Sequence, residues 1–199
     1  MELIIIAGMP ATGKSTVAAG LAEAFAYPIL EKDNIKEVLF DTIGFENYPQ
    51  KRRLDIAANG VLLHILEVML KSDSSAIVVN NFDTESTQKL CELMETYQPH
   101  CVTVFLNGEA QVLYERYVRR DNLHLRHLGH ALQEHYPPHE GDSLDYTMTR
   151  EEFDEKFFKR GMDQFHCPGE RIDLDMTDFA AVSAPAVAAE VRRLLDAQR

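Results

Sequence analysis

The sequence predicts an α/β domain: a five-stranded parallel sheet with helices on both faces and a lid inserted late in the chain. Three observations predict it. Leu3-Ile4-Ile5-Ile6-Ala7, Ala76-Ile77-Val78-Val79 and Val102-Thr103-Val104-Phe105-Leu106 are short continuous apolar runs, as in strands covered on both sides. Segments of helical period separate them, which suits right-handed crossovers between parallel strands. A glycine-rich loop closes the first run, and a helical pattern follows it at once.

The elements follow in order. The first strand ends at Gly8, and Val17, Leu21 and Phe25 mark the next helix. Pro28-Ile29-Leu30 fits a second strand ending at Lys32-Asp33. Leu54, Ala58, Val61, Leu62, Ile65, Leu66 and Met69 recur at helical spacing. The third strand ends at Asn80-Asn81, and a helix covers roughly Thr84 to Tyr97. After the fourth strand, Asn107 suits the cap of a helix running to Arg120. From Asp121 to about Met148 the periodicity fails, so residues 121–149 read as a long functional loop, the lid. Thr149-Arg150-Glu151-Glu152 reads as a capping box. Arg171-Ile172-Asp173-Leu174-Asp175 alternates and gives the fifth strand. Ser183 is placed to cap a last helix whose apolar face is Val187, Val191, Leu194 and Leu195. No repeat or linker divides the chain, so residues 1–199 read as one domain.

Composition narrows the function. Lys plus Arg total 20 against 32 Asp plus Glu, a formal net charge of −12. Such a surface disfavours polynucleotides and anionic membranes, but leaves room for a small anion in a local basic pocket. Cys91, Cys101 and Cys167 show no C-x-x-C spacing and read as buried thiols in a reducing compartment. The apolar N-terminal run is too short for a signal peptide, and no stretch offers the roughly 20 apolar residues of a membrane span. The cytoplasm is the expected location.

The strongest motif is Gly8-Met9-Pro10-Ala11-Thr12-Gly13-Lys14-Ser15-Thr16, a G-x-x-x-x-G-K-[ST] loop between a buried strand and a helix. Its glycines permit close approach, and its N–H groups with the helix N-terminus cradle phosphates. Lys14 is placed for the β- and γ-phosphates, and the Ser15 hydroxyl for Mg²⁺. Such a loop alone does not separate a kinase from a switch or a motor. Asp33 follows the second strand, so it should face the same crevice. There it could take the proton of an attacking hydroxyl, or simply cap the helix starting at Asn34-Ile35-Lys36-Glu37.

Further blocks follow the loop in order: Glu31-Lys32-Asp33-Asn34-Ile35-Lys36-Glu37, Arg116-Tyr117-Val118-Arg119-Arg120 and Arg126-His127-Leu128-Gly129-His130. With them the chain resembles the small P-loop kinases of the adenylate-kinase-like class. Within that class it is most similar to the AAA-type kinase family that also resembles zeta toxin and chloramphenicol phosphotransferase. The resemblance covers nearly the whole chain. It implies a three-layer α/β/α P-loop NTPase that uses ATP and Mg²⁺ to phosphorylate a hydroxyl of a small acceptor. It implies that Asp33 is the base or substrate orienter and that Arg116 packs on the adenine. Arg120 would neutralise the transferring phosphoryl group, with Arg126 as a second clamp and Arg119 as a further candidate. Arginines at a helix end also suit its C-terminal dipole, a blander role.

One position departs from the pattern. Relatives often carry a carboxylate at the end of the third strand, where this chain reads Asn80-Asn81-Phe82-Asp83. Either Ser15, phosphates and water hold Mg²⁺, or Asp33 or Asp83 compensates, or activity is weak; Asn80 and Asn81 are then open to the acceptor. Two rival functions follow: a polynucleotide or nucleoside 5′-hydroxyl kinase, and an ATP-binding regulatory switch with little turnover. His124, His127, His130, His135 and His139 crowd the lid without the spacing of a zinc signature. They read as a polar loop whose His127-Gly129-His130 meets substrate or phosphate when it closes and excludes water. Glu140, Asp142, Asp145 and the acids that follow read as a solvated face. Phe40, Phe45, Tyr48 and Arg52 could line the acceptor pocket, and the aromatics suit the core equally well.

Overall fold

The computed structural model describes residues 1–144 and 148–199; Asp145 lies outside the described residues. Strands β1 (Glu2–Gly8), β2 (Ile29–Glu31), β3 (Ala76–Val79), β4 (His100–Asn107) and β5 (Glu170–Asp175) form one sheet. Their order is β2-β3-β1-β4-β5, and every pairing is parallel.

Burial explains why β1 reads as a continuous apolar run. Leu3, Ile5 and Ala7 pack on one face against α3 (Tyr48–Lys71) and α4 (Thr84–Tyr97). Ile4 and Ile6 pack on the other against α1 (Lys14–Phe25) and α8 (Ala184–Asp196). Each fully buried aliphatic side chain contributes about 1.5–3 kcal/mol, so a polar residue on either face would be costly. A third apolar cluster joins Met9 of the glycine-rich loop to Leu113 and Tyr117 of α5 (Ala110–Asn122) and to Phe153 and Phe157 of α7 (Arg150–Phe157). It anchors the base of that loop from below.

Several local expectations change. Two helices, not one, connect β2 to β3. The first, α2 (Lys32–Ile43), follows β2 directly and ends at Gly44, whose φ of 68° suits glycine. Asn47 then caps α3, accepting from the Gln50 amide at 3.0 Å. The helix therefore begins six residues before Leu54, the first residue of the apolar pattern. Its opening turns carry Lys51 and Arg52, which face a cavity rather than the core, so no hydrophobic period marks them. Its buried face is Ala58, Leu62, Leu63, Leu66 and Leu70, while Val61 and Ile65 are exposed. Asn107 does not cap α5; its Oδ1 accepts from the Gly108 amide at 2.9 Å. Ser183 precedes α8 without a side-chain capping bond. The capping box of α7 forms as expected, with Glu152 N on Thr149 Oγ1 at 3.2 Å and Thr149 N on Glu152 Oε2 at 2.7 Å.

The described part of the lid is docked. Its short helix α6 (Leu128–Ala131) lies on α2, and a Cβ on Gly129 would sit 2.4 Å from the Phe40 ring. Phe45 and Tyr136 exchange two backbone hydrogen bonds of 2.9 and 2.7 Å. Phe40 and Phe45 thus bind the lid rather than an acceptor. The three cysteines are free thiols, Cys101 and Cys167 buried. Among the described residues, no helix is long and apolar enough to cross a membrane.

Candidate active site

The site lies beyond the carboxyl end of β1, where the chain leaves the sheet on both sides. Gly8 takes φ 120°, and a Cβ there would lie 2.0 Å from Leu106 O on β4. Only glycine allows that approach. Thr12 Oγ1 donates to Met9 O at 2.7 Å, and Gly13, left-handed at φ 81°, opens α1. Pro10, Ala11, Gly13, Lys14, Ser15 and Thr16 line a cavity of about 450 Å³. Gly8, Met9 and Thr12 are not among its lining residues; they hold the loop from behind.

Lys14 folds back over its own loop, donating to Gly8 O at 3.1 Å and Met9 O at 2.6 Å. Burial lowers its pKa to about 7 even though Asp33 pulls it upward. Ser15 Oγ donates to Glu31 Oε1 at 2.6 Å. Burial raises the Glu31 carboxyl above its ordinary value, and the Ser15 bond opposes this. No motif in the sequence gives Glu31 a role. Its one signal was position, at the carboxyl end of β2 one residue before the motif's Lys32-Asp33.

Asp33 stands in the first turn of α2 but does not cap it. The helix starts at Lys32 after Glu31, without a side-chain cap. The Asp33 carboxylate instead receives Arg126 Nη2 from the lid at 2.6 Å and faces the cavity. Burial alone would raise its pKa; Arg126 and the other cations outweigh this and hold it well below the carboxylate range. Arg120 also lines the cavity. Its Nε donates to Asp121 at 3.0 Å, while its Nη2 is buried and has no hydrogen-bond partner among the described residues. Such a donor invites an anion. Arg116 lies apart from this cavity. It donates to Met176 O and Thr177 O and stacks on the Phe179 ring, 3.8 Å from its centroid. Phe179 in turn closes on Gly13, its Cε1 3.4 Å from where a Cβ would stand.

The departure at the third strand also resolves. Asn80 Nδ2 donates to Asn59 at 3.1 Å, and its Oδ1 accepts from the Asn81 amide at 2.8 Å. Asn80 is thus a structural strut, and only Asn81 lines the main cavity. Asp83 is occupied as the cap of α4, accepting from Ser86 N and Oγ, and by Arg160. The carboxylate that contacts Ser15 is instead Glu31. The oxygens of Ser15, bonded to Glu31, and of Asp33, which lines the same cavity as Ser15, fit a hard divalent cation such as Mg²⁺.

Of the lid histidines, His130 lines the cavity, and its Nε2 lies 3.0 Å from Glu37 Oε1. Burial lowers its pKa to about 4. His127 turns to Asp41 at 3.0 Å. His135, His139 and Asp142 form a hydrogen-bonded turn and do not line the cavity.

A sequence model described as an AAA domain matches residues 3–138. The chain belongs to that AAA-domain family. A structure from Chloroflexus aurantiacus, described as a conjectured kinase, is 26% identical with a TM-score of 0.79, covering 97% of each chain. A gluconokinase from Sinorhizobium meliloti is 18% identical, TM-score 0.54, over 99% of this chain and 93% of that one. A shikimate kinase from Acinetobacter baumannii, bound to shikimate, is 13% identical, TM-score 0.55, over 100% and 94%. No curated protein matches the sequence. The family member described here thus has the α/β fold of small P-loop kinases.

Proposed function

We propose that this family member transfers the γ-phosphoryl group of ATP to a hydroxyl of a small acceptor, in one domain spanning residues 1–199 with the lid at 121–149. One observation carries the reading: Asp33 shares a single cavity with Lys14 and Ser15 of the phosphate loop. The acceptor oxygen attacks the γ-phosphorus, its proton passes to Asp33, and the bridging bond to the β-phosphate breaks to release ADP. Lys14 and Arg120 balance the charge on the transferring group. Arg116 with Phe179 offers a flat platform for the adenine. Ser15, backed by Glu31, would hold Mg²⁺, which spreads the phosphate charge when bound. The docked lid shields the phosphoryl group from water.

ADP release from Mg·ATP, measured across small alcohols with Asp33→Asn in parallel, tests this reading. The variant is expected to bind ATP normally and to lose transfer by about 10²-fold or more. Turnover undiminished in Asp33→Asn removes the base from the scheme. ATP binding without ADP release for any alcohol favours a regulatory switch.

A further inference from the structure

One cluster in the cavity has no task in holding ATP. Asp55 of α3 receives Lys32 Nζ at 3.0 Å, Lys36 Nζ at 2.9 Å and Arg52 Nη1 at 2.6 Å. Lys32, Lys36 and Asp55 are only 13%, 12% and 13% exposed. Burial acts to raise the Asp55 carboxyl, yet the two lysines drive it far below its ordinary value, so it is fully ionised. Three cations on one carboxylate leave an excess of positive charge in a partly desolvated wall. Such an excess is unfavourable until an anion completes it.

The excess does not belong to the triphosphate. Lys32, Arg52 and Asp55 also line an adjoining pocket of about 130 Å³ that contains no residue of the phosphate loop; its other charges, Arg160 with Asp83 and Lys89 with Glu85, are paired with each other. That pocket extends towards α4, away from Lys14. The imbalance is local and strong. Nine of the chain's 20 lysines and arginines line the main cavity beside two carboxylates, in a chain of net charge −12. Lys51, one of the nine, is turned to the lid rather than to Asp55. Burial, then Lys36, lowers its pKa to about 6, and it donates to the lid carbonyls of His130 and Leu132.

We infer that the acceptor is itself an anion, a small polyol carrying a carboxylate or a phosphate ester. Its hydroxyl lies at Asp33 and its anionic group on Lys32, Lys36 and Arg52. The inference rests on the kinase reading of this cavity, and its test separates the two.

The full chain with Mg·AMP-PNP bound is titrated calorimetrically with gluconate and glycerol 3-phosphate, their neutral partners sorbitol and glycerol, and the cationic kanamycin. ADP release from Mg·ATP is followed with the same five compounds. At least one anion is expected to bind about tenfold or more tighter than its neutral partner, as charge-assisted bonds allow. Preference for gluconate assigns a carboxylate, and preference for glycerol 3-phosphate a phosphate ester. Arg52→Gln and Lys36→Met are each expected to weaken the anion about tenfold and leave the neutral polyol unchanged. Arg52 is the more exposed of the two, so its variant keeps the test open if Lys36→Met folds poorly. Equal or tighter binding of the neutral or cationic compounds, absence of binding by both anions, or binding indifferent to both variants overturns the inference. Variant-sensitive anion binding without ADP release preserves the anion subsite and fails the kinase reading. ADP release with neutral polyols alone does the reverse.

Discussion

Arg126 of the lid donates to Asp33 of α2 at 2.6 Å, across 93 residues of sequence. The pair joins the lid to the residue assigned to the acceptor hydroxyl. It also gives Arg126 two uses, since a guanidinium bound to Asp33 is only partly available to a phosphoryl group. Arg126 is the largest of the charges that hold Asp33 below its ordinary pKa. Arg126→Met therefore raises that pKa, and the acid limb of kcat/KM moves to higher pH. A limb that stays in place in the variant dissociates Asp33 from the proton transfer.

Lys14 makes a second prediction. With its pKa near 7 it is about half protonated at neutral pH, and phosphate oxygens favour its charged form. ATP binding at pH 7 should therefore take up roughly half a proton. Calorimetry in buffers of different ionisation enthalpy reads this directly. Lys14→Ala should abolish the uptake and weaken ATP; uptake that persists in the variant places the proton elsewhere.

Glu31 supports Ser15, and partners of this kind typically tune metal affinity by about 10–100-fold. Glu31→Gln keeps the shape and removes the charge. The Mg²⁺ concentration for half-maximal binding of a fluorescent ATP analogue is expected to rise by about tenfold. Asp83→Asn, at a residue engaged in capping α4, should leave that concentration alone and lower the melting temperature instead. The opposite pattern would return the missing acid to the third strand.

The lid should loosen in acid. His130 is 2% exposed, with a pKa of about 4 against 6.5 when unfolded. The undocked form binds the proton first, so docking is at full strength above about pH 6.5 and weakens as pH falls towards 4. The difference is worth up to about 3 kcal/mol. Limited proteolysis within residues 121–144 should accelerate through this window, and His130→Gln should flatten the change. Gly129→Ala drives a methyl group into the Phe40 ring and should expose the lid at every pH, at about 1–3 kcal/mol of overpacking.

The parts of this molecule legible in its sequence are those where one local rule dominates. Strands β1, β3 and β4 announce themselves because burial on both faces leaves few polar positions, and the phosphate loop because backbone geometry demands its glycines. Asp33 is legible as a residue of the crevice because the end of a parallel strand fixes its neighbourhood. The first turns of α3 are not legible because their side chains serve the cavity and carry no hydrophobic period. Glu31 is silent in the sequence for a related reason: its meaning is a 2.6 Å contact with a residue 16 positions away, and carboxylates have no spacing rule for that. Phe40 and Phe45 read equally as pocket or core, and the structure buries both beneath the lid, as packing residues.

Helix α2 carries Asp33 at its start and the lid's footholds Glu37, Phe40 and Asp41 one and two turns later. An acceptor that settles on the first turn and a nucleotide enclosed beneath the docked lid would therefore act on the same helix. Each partner stabilises the pose the other requires, so each should tighten the other's affinity by the same factor. The enzyme would then hold its donor loosely until the right acceptor arrives, a built-in guard against spending ATP on water.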